Sequence, residues 1–170
     1  MINTNKKIKY FLYSYLPVIL LFISILNEID FNNSELKYFS FNFAYILIFY
    51  YSLKREGSIG YILIFVAGLF NDVVNGIPMG ISSLCYLLLC AAATYLRNIT
   101  LRPNLIKDCI FFLITISVLN FITYTYLILF FSYEINYFDQ MINIIFTFLL
   151  YLVFSYLFKV FDNVILGGYN

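Results

Sequence analysis

The sequence predicts an all-α integral membrane protein whose six transmembrane helices form a single bundle. Three observations predict it: an apolar composition, six apolar stretches without charge, and basic residues in alternate loops. Hydrophobic residues make up 63% of the 170-residue chain and charged residues 11%, with a mean hydropathy of +0.89. A soluble core of this size cannot bury so many apolar side chains. We therefore expect a bilayer to cover the rest.

The predicted spans are placed on the uncharged stretches, with bounds given to within a few residues. A hydrocarbon core of ~30 Å needs ~20 helical residues. The spans are expected at residues 10–27, 38–53, 57–71, 77–96, 106–132 and 140–159. The second and third are short, but the basic loops at 54–55 and 97–102 require an even number of crossings between them, and about forty residues allow two.

The first stretch is expected to be an uncleaved span. A Lys-rich segment precedes it, as in a secretory signal, but Asn27-Glu28-Ile29-Asp30 follows it without small residues of the A-x-A type. Pro17 lies inside this span and is expected to kink it.

The charge of the loops predicts the orientation of the bundle. Every second loop is basic, and if those loops are cytoplasmic they hold nine of the ten Lys and Arg residues, leaving Lys37 outside. That bias orients helical membrane proteins. Both termini are therefore expected in the cytoplasm.

The sequence offers little for catalysis or for cofactors. It has no His, no G-x-S-x-G nucleophile motif and no glycine-rich phosphate loop. Three Cys without C-x-x-C spacing support neither disulfides nor a metal site. No basic patch is large enough to hold a nucleic acid. We expect no enzymatic activity, no cofactor, no metal and no nucleic-acid partner.

Polar side chains recur at helical spacing inside the last two predicted spans. They are Ser117, Asn120 and Thr123 in the fifth span, with Tyr124 beside them, and Asn143 and Thr147 in the sixth. In bilayers such side chains most often hydrogen-bond a neighbouring helix. A ligand-binding stripe is the alternative.

Asp72 is the one formal charge between Gly57 and Leu96. An intramembrane carboxylate is costly unless it is solvated, paired or neutralised. Asn75-Gly76 is a turn dipeptide, Pro78 suits the first turn of a following helix, and Gly80 allows tight packing. We expect Asp72 to accept hydrogen bonds from the free N–H groups that open the fourth helix, around residues 79–82. Direct contact with a ligand or partner is the alternative.

These residues carry a resemblance to a known family. The series G-L-x-x-D-x-x-x-G-x-P-x-G is filled here by Gly68, Leu69, Asp72, Gly76, Pro78 and Gly80. It resembles the signature of the bacterial rod shape-determining protein MreD family. The basic loop at Lys54-Arg55 and the long fourth span that ends at Arg97 are similar to that family over residues 38–97. The chain departs from it in Asn71 and in its few Ala and Leu residues.

The resemblance implies a non-enzymatic scaffold of the cell-elongation (rod) complex in the bacterial inner membrane, which maintains cell shape by organising peptidoglycan synthesis. MreD-like proteins associate with MreC, a single-span protein, and through it with MreB, RodA and a class-B penicillin-binding protein. A homodimer is also compatible with the sequence. The fold implied is similar to the substrate-binding subunits of energy-coupling-factor vitamin transporters. Such a subunit is the alternative function, although residues 13–25 lack the A-x-x-x-A docking motif of those subunits.

Overall fold

A computed structural model of the chain describes residues 15–25, 41–55, 59–100, 104–132 and 136–166. Within these residues the chain forms six α-helices and no β-strand, which confirms the all-α fold class. The helices are α1 (Tyr15–Ile25), α2 (Phe43–Lys54), α3 (Tyr61–Asn75), α4 (Ile81–Ile99), α5 (Leu105–Phe131) and α6 (Tyr137–Leu166). The predicted ends of the first three spans at 10–14, 26–27, 38–40 and 57–58 lie outside the described residues. The whole predicted outer loop 27–37 and Lys6, Lys7 and Lys9 also lie outside them.

Helix α2 is the central element. Every residue from Ala44 to Leu53 is buried, as expected of a helix that is apolar on all sides. Asn42 starts it by accepting a hydrogen bond from the Tyr45 amide at 3.1 Å, a usual cap at a helix N-terminus. Because the helix is covered all round, it positions the elements packed against it.

Aromatic rings join α2 to its neighbours. The Phe49 ring lies 4.9 Å from that of Phe112 on α5 and 5.7 Å from that of Tyr151 on α6. Phe112 and Tyr151 stack at 4.2 Å, and Tyr45 meets Tyr86 of α4 edge to face at 5.7 Å. Such geometries add about 0.5–1.5 kcal/mol per pair beyond burial. The core of the molecule is therefore the contact of α2 with α4, α5 and α6.

Helices α5 and α6 have the length and hydropathy to cross a membrane. The segments that meet both criteria are Leu105–Phe131 and Tyr137–Asp162, and only 28% and 22% of their most apolar windows are buried inside the protein. Large apolar side chains such as Ile114, Phe121 and Leu149 are accordingly exposed. The other four predicted spans stay predictions.

Charged side chains gather at one end of the bundle. Lys54, in the last turn of α2, forms an ion pair with Asp108, in the first turn of α5. The Arg97 guanidinium, near the end of α4, donates to the Ser52 carbonyl of α2 at 3.2 Å. The Tyr50 hydroxyl donates to the Asp162 carboxylate of α6 at 3.3 Å. These contacts bring the C-terminal ends of α2, α4 and α6 to the N-terminal end of α5.

Candidate functional site

The family-like motif covers the second half of α3 and the turn between α3 and α4. Helix α3 continues to Asn75 and ends at Gly76, whose φ of +64° is left-handed. The Gly76 and Ile77 amides both donate to the Asp72 carbonyl, Ile77 at 3.0 Å. A left-handed glycine with such bonds is a common helix C-terminus. Helix α3 therefore continues one helical turn beyond residue 71, the predicted end of the third span, and Asp72 belongs to its last turn.

Asp72 caps the following helix. Its side chain is fully buried, and its carboxylate oxygens accept hydrogen bonds from the Gly80 amide at 2.6 Å and the Ser82 amide at 2.9 Å. Gly80 precedes the first residue of α4 and has no side chain to cap it, so a residue of α3 provides the acceptors. These are amides of the region expected from the sequence.

The helix dipoles explain why the contact matters. A carboxylate in the last turn of α3 lies at the negative end of that helix, which is unfavourable, but at the positive end of α4, which is favourable. The free N–H groups at a helix start also need acceptors when they are buried. Asp72 therefore stabilises α4 and ties it to α3, and both of its oxygens are used in doing so.

Gly68 lets the two helices approach closely. A Cβ added to Gly68 would lie 2.3 Å from the Ser83 Cα and 2.5 Å from the Ser83 amide nitrogen, closer than van der Waals contact permits. Ser83 then donates from its hydroxyl to the Phe65 carbonyl at 3.0 Å. The Asn71 amide group donates to the Ser82 hydroxyl at 3.1 Å. Backbone contact and side-chain hydrogen bonds thus act together at this crossing.

The structure corrects the expected roles of Gly80 and Pro78. Gly80 has a φ of +103°, and nothing lies within 4 Å of a Cβ built on it, so the backbone conformation requires glycine there and tight packing does not. Pro78 was expected in the first turn of the fourth helix, at a span beginning at 77. That expectation is wrong, because α4 begins at Ile81 and Pro78 lies in the turn before it.

The predicted polar residues of the last two spans divide into three groups. Thr123 and Thr147 contact other helices: Thr123 Oγ1 lies 3.0 Å from Cys85 Sγ of α4, and Thr147 Oγ1 accepts from the Asn42 amide at the start of α2 at 3.0 Å. Asn143 Oδ1 lies 3.4 Å from Thr147 Oγ1 within α6. Ser117 bonds the Leu113 carbonyl of its own helix at 2.8 Å.

Asn120 is the exception. Its side chain is half-buried, and no hydrogen-bond partner for it lies among the described residues. Among the described residues, neither Ser117 nor Asn120 therefore hydrogen-bonds a neighbouring helix.

Sequence reasoning missed the pair formed by Lys54 and Asp108. The two side-chain atoms lie 2.5 Å apart, and the Asp108 side chain is 4% exposed. A signal was present, since Asp108 is the one acid in the basic stretch from Arg97 to Asp108. An acid in a basic loop suggests an internal partner, but fifty-four residues separate it from Lys54, so the sequence could not identify which cation it meets.

The arrangement around Asp72 holds backbone rather than presenting reactive groups. Within the parts of the chain that the structure describes, no three His, Cys, Asp or Glu side chains lie close enough to hold a metal ion. The described cysteines Cys85, Cys90 and Cys109 are free and buried. Compared with known proteins, the chain gives no significant match to any family model, any curated protein or any solved structure.

Proposed function

We propose that the chain is a non-enzymatic membrane scaffold of the MreD type in the cell-elongation complex. Its partner would be an MreC-like single-span protein and, through it, MreB, RodA and a class-B penicillin-binding protein. One observation carries the proposal: the residues of the family-like motif lie in α3 and in the turn that follows it, and four of them have distinct structural roles where α3 meets α4. Gly68 allows close approach, Asp72 caps α4, and Gly76 and Gly80 adopt left-handed backbone.

The manner in which Asp72 is held favours a structural motif over a ligand site. Both carboxylate oxygens accept backbone hydrogen bonds, and the side chain has no exposed surface. A carboxylate without exposed surface is not accessible to a substrate. A scaffold that works by shape needs such a fixed crossing, whereas a binding subunit needs a polar group facing a cavity.

The charge distribution supports the proposed orientation. Lys54, Arg97 and Lys107 lie at the end where α2 and α4 finish and α5 begins, whereas the turn with Asp72 lies at the opposite end of α4. In a bundle of six spans the cationic end would face the cytoplasm. Both termini would then lie on that side of the inner membrane, and the exposed apolar faces of α5 and α6 would contact lipid.

Affinity purification from the native membrane tests the function. The tagged chain is extracted in mild detergent, and the proteins and small molecules that accompany it are identified by mass spectrometry. We expect an MreC-like protein at near-stoichiometric amount, and we expect depletion of the chain to abolish rod shape. The control is an unrelated six-span protein with the same tag and expression level. A bound vitamin or transporter ATPase subunits would contradict the proposal and favour the transporter function.

Thiol labelling in intact cells tests the orientation. Met79 is 75% exposed in the turn that would lie outside, and Lys107 is exposed at the cationic end. An impermeant maleimide should label the Met79→Cys variant and leave Lys107→Cys unlabelled until the cells are opened. The native cysteines are buried, so the unsubstituted chain provides the background. The opposite labelling pattern would refute the orientation.

A further inference from the structure

Asn120 differs from the Ser and Thr side chains of α5. Thr115 and Thr125 donate to carbonyls of their own helix at 2.7 Å, and Ser117 and Thr123 have the partners described above. An Asn amide carries two donor hydrogens and an acceptor oxygen. Within the described residues none of these groups of Asn120 is used. A polar amide left without partners in apolar surroundings is unfavourable.

Asn120 also lies far from both ends of α5. At 1.5 Å per residue it is about 22 Å from Leu105 and about 16 Å from Phe131 along the helix. If α5 crosses the bilayer, as its length and hydropathy allow, the amide lies near the midplane. Neither headgroups nor bulk water reach that depth. The hydrogen-bond partner of the Asn120 amide must therefore be protein.

The surroundings of Asn120 on α5 are suited to another helix. Leu113, Ser117 and Tyr124 lie one or two turns away on the same face and are half-buried in the same way. We call the line of Leu113, Ser117, Asn120 and Tyr124 the Asn120 face. It borders the contact of α5 with α4.

Helix α4 provides small residues next to this face. Its Cys85 Sγ lies 3.0 Å from Thr123 Oγ1, and the two helices run in opposite directions along the chain. Ala91 and Ala92 lie about two turns after Cys85 on α4. Ser117 lies about two turns before Thr123 on α5, so it is level with these two alanines. Ala91 is exposed and Ala92 is half-buried. Small residues allow helices to approach closely in a bilayer.

We propose that two copies of the chain form a parallel dimer along the Asn120 face, with the two Asn120 amides hydrogen-bonded to each other. Copies inserted with the same orientation are related by a two-fold axis along the membrane normal, so each residue meets its own counterpart at the same depth. An amide pair satisfies a donor and an acceptor on both sides. Because the unused amide of Asn120 carries both a donor and an acceptor, it is complementary to the same amide of a second copy. The proposal goes beyond the scaffold function and rests only on α5 crossing the bilayer.

Energy transfer in vesicles tests the dimer. The purified full chain carries donor or acceptor dyes at its N-terminus and is reconstituted in phosphatidylethanolamine–phosphatidylglycerol vesicles over a series of lipid dilutions. Asn120→Leu should raise the dissociation constant about 8- to 900-fold, because the amide pair makes two hydrogen bonds of ~0.6–2 kcal/mol each and 1.4 kcal/mol is tenfold. Asn120→Gln keeps the amide and should dimerise. Thr125→Val, at an exposed site elsewhere on α5, should behave as wild type.

Cross-linking keeps the test valid if Asn120→Leu is misfolded. With Asn120 retained, Ser117→Cys should form an oxidative cross-link between copies, whereas Val118→Cys, exposed away from the Asn120 face, should not. A wild-type chain that stays monomeric at every dilution would overturn the proposal. So would equal dimerisation of the folded Asn120→Leu variant, or association only when a second membrane protein is co-reconstituted.

Discussion

Replacing Asp72 tests the account of the turn most directly. Asp72→Leu removes both acceptors that the Gly80 and Ser82 amides use. Asp72→Asn keeps nearly the same shape and one acceptor oxygen, but its NH₂ group then faces one of the two amides. We therefore expect the stability order wild type, then Asn, then Leu.

The magnitudes follow from the two hydrogen bonds. A buried donor left unsatisfied costs about 1–3 kcal/mol, so Asp72→Leu, which leaves two, should lower the free energy of unfolding by about 2–6 kcal/mol. The lost charge adds little in either variant, because its favourable position at the start of α4 is opposed by its unfavourable position at the end of α3, each worth about 0.3–1 kcal/mol. Asp72→Asn leaves one donor unsatisfied and should lower the free energy of unfolding by about 1–3 kcal/mol.

The buried cysteines make this measurable without added labels on the chain. Cys85, Cys90 and Cys109 are free and buried, so a thiol-specific fluorogenic dye reacts with them when the protein unfolds. The chain has no Trp, which makes this readout preferable to intrinsic Trp fluorescence. Pulsed labelling along a titration from mild detergent into sodium dodecyl sulfate would report the free energy of unfolding of each variant.

A matched acid provides the control. Asp139, in the first turn of α6, accepts from the Asn136 side chain at 3.0 Å at an exposed site. Asp139→Leu should therefore change the free energy of unfolding by less than about 1 kcal/mol. If Asp72→Leu unfolded at the same detergent fraction as wild type, the capping role would be refuted, and loss of partner binding by that stable variant would support direct contact instead.

Two further variants test the packing of the bundle by the same measurement. Gly68→Ala should lower the free energy of unfolding by about 1–3 kcal/mol, because the added Cβ would lie 2.3 Å from the Ser83 Cα. Gly60→Ala is the control, and it should lower the free energy of unfolding by at most about 1 kcal/mol because nothing lies within 4 Å of its Cβ. Lys54→Met leaves the Asp108 carboxylate without its cation and should cost about 1–3 kcal/mol, below the range for fully buried pairs because the Lys54 side chain is 25% exposed. Asp108→Leu in addition should recover part of that loss, and a double-mutant cycle without coupling would contradict the pair.

Local sequence signals predicted the turn and most of the helices. Asn75-Gly76 marks the end of α3 because glycine adopts the left-handed conformation without a Cβ clash, and the acid before it has α4 amides within reach. The helix boundaries differ from those expected, since α3 continues to Asn75 and α4 begins at Ile81. Charge-free runs mark apolar surface, whereas a helix ends where its last carbonyls find a cap, here the Gly76 amide on Asp72.

The tertiary structure decided which faces meet. Helix α2 is apolar on every side, so no periodicity could identify it as the central helix or select the face that packs on Phe112. The close approach at Gly68 depends on where Ser83 lies, and the pairing of Lys54 with Asp108 depends on two helix ends far apart in sequence. Asn120 belonged to the same polar stripe as Thr123, yet Thr123 contacts Cys85 of α4 and Asn120 hydrogen-bonds none of the described residues. Sequence patterns report residues within a few turns, and contacts between helices depend on rotation and register that those patterns leave undetermined.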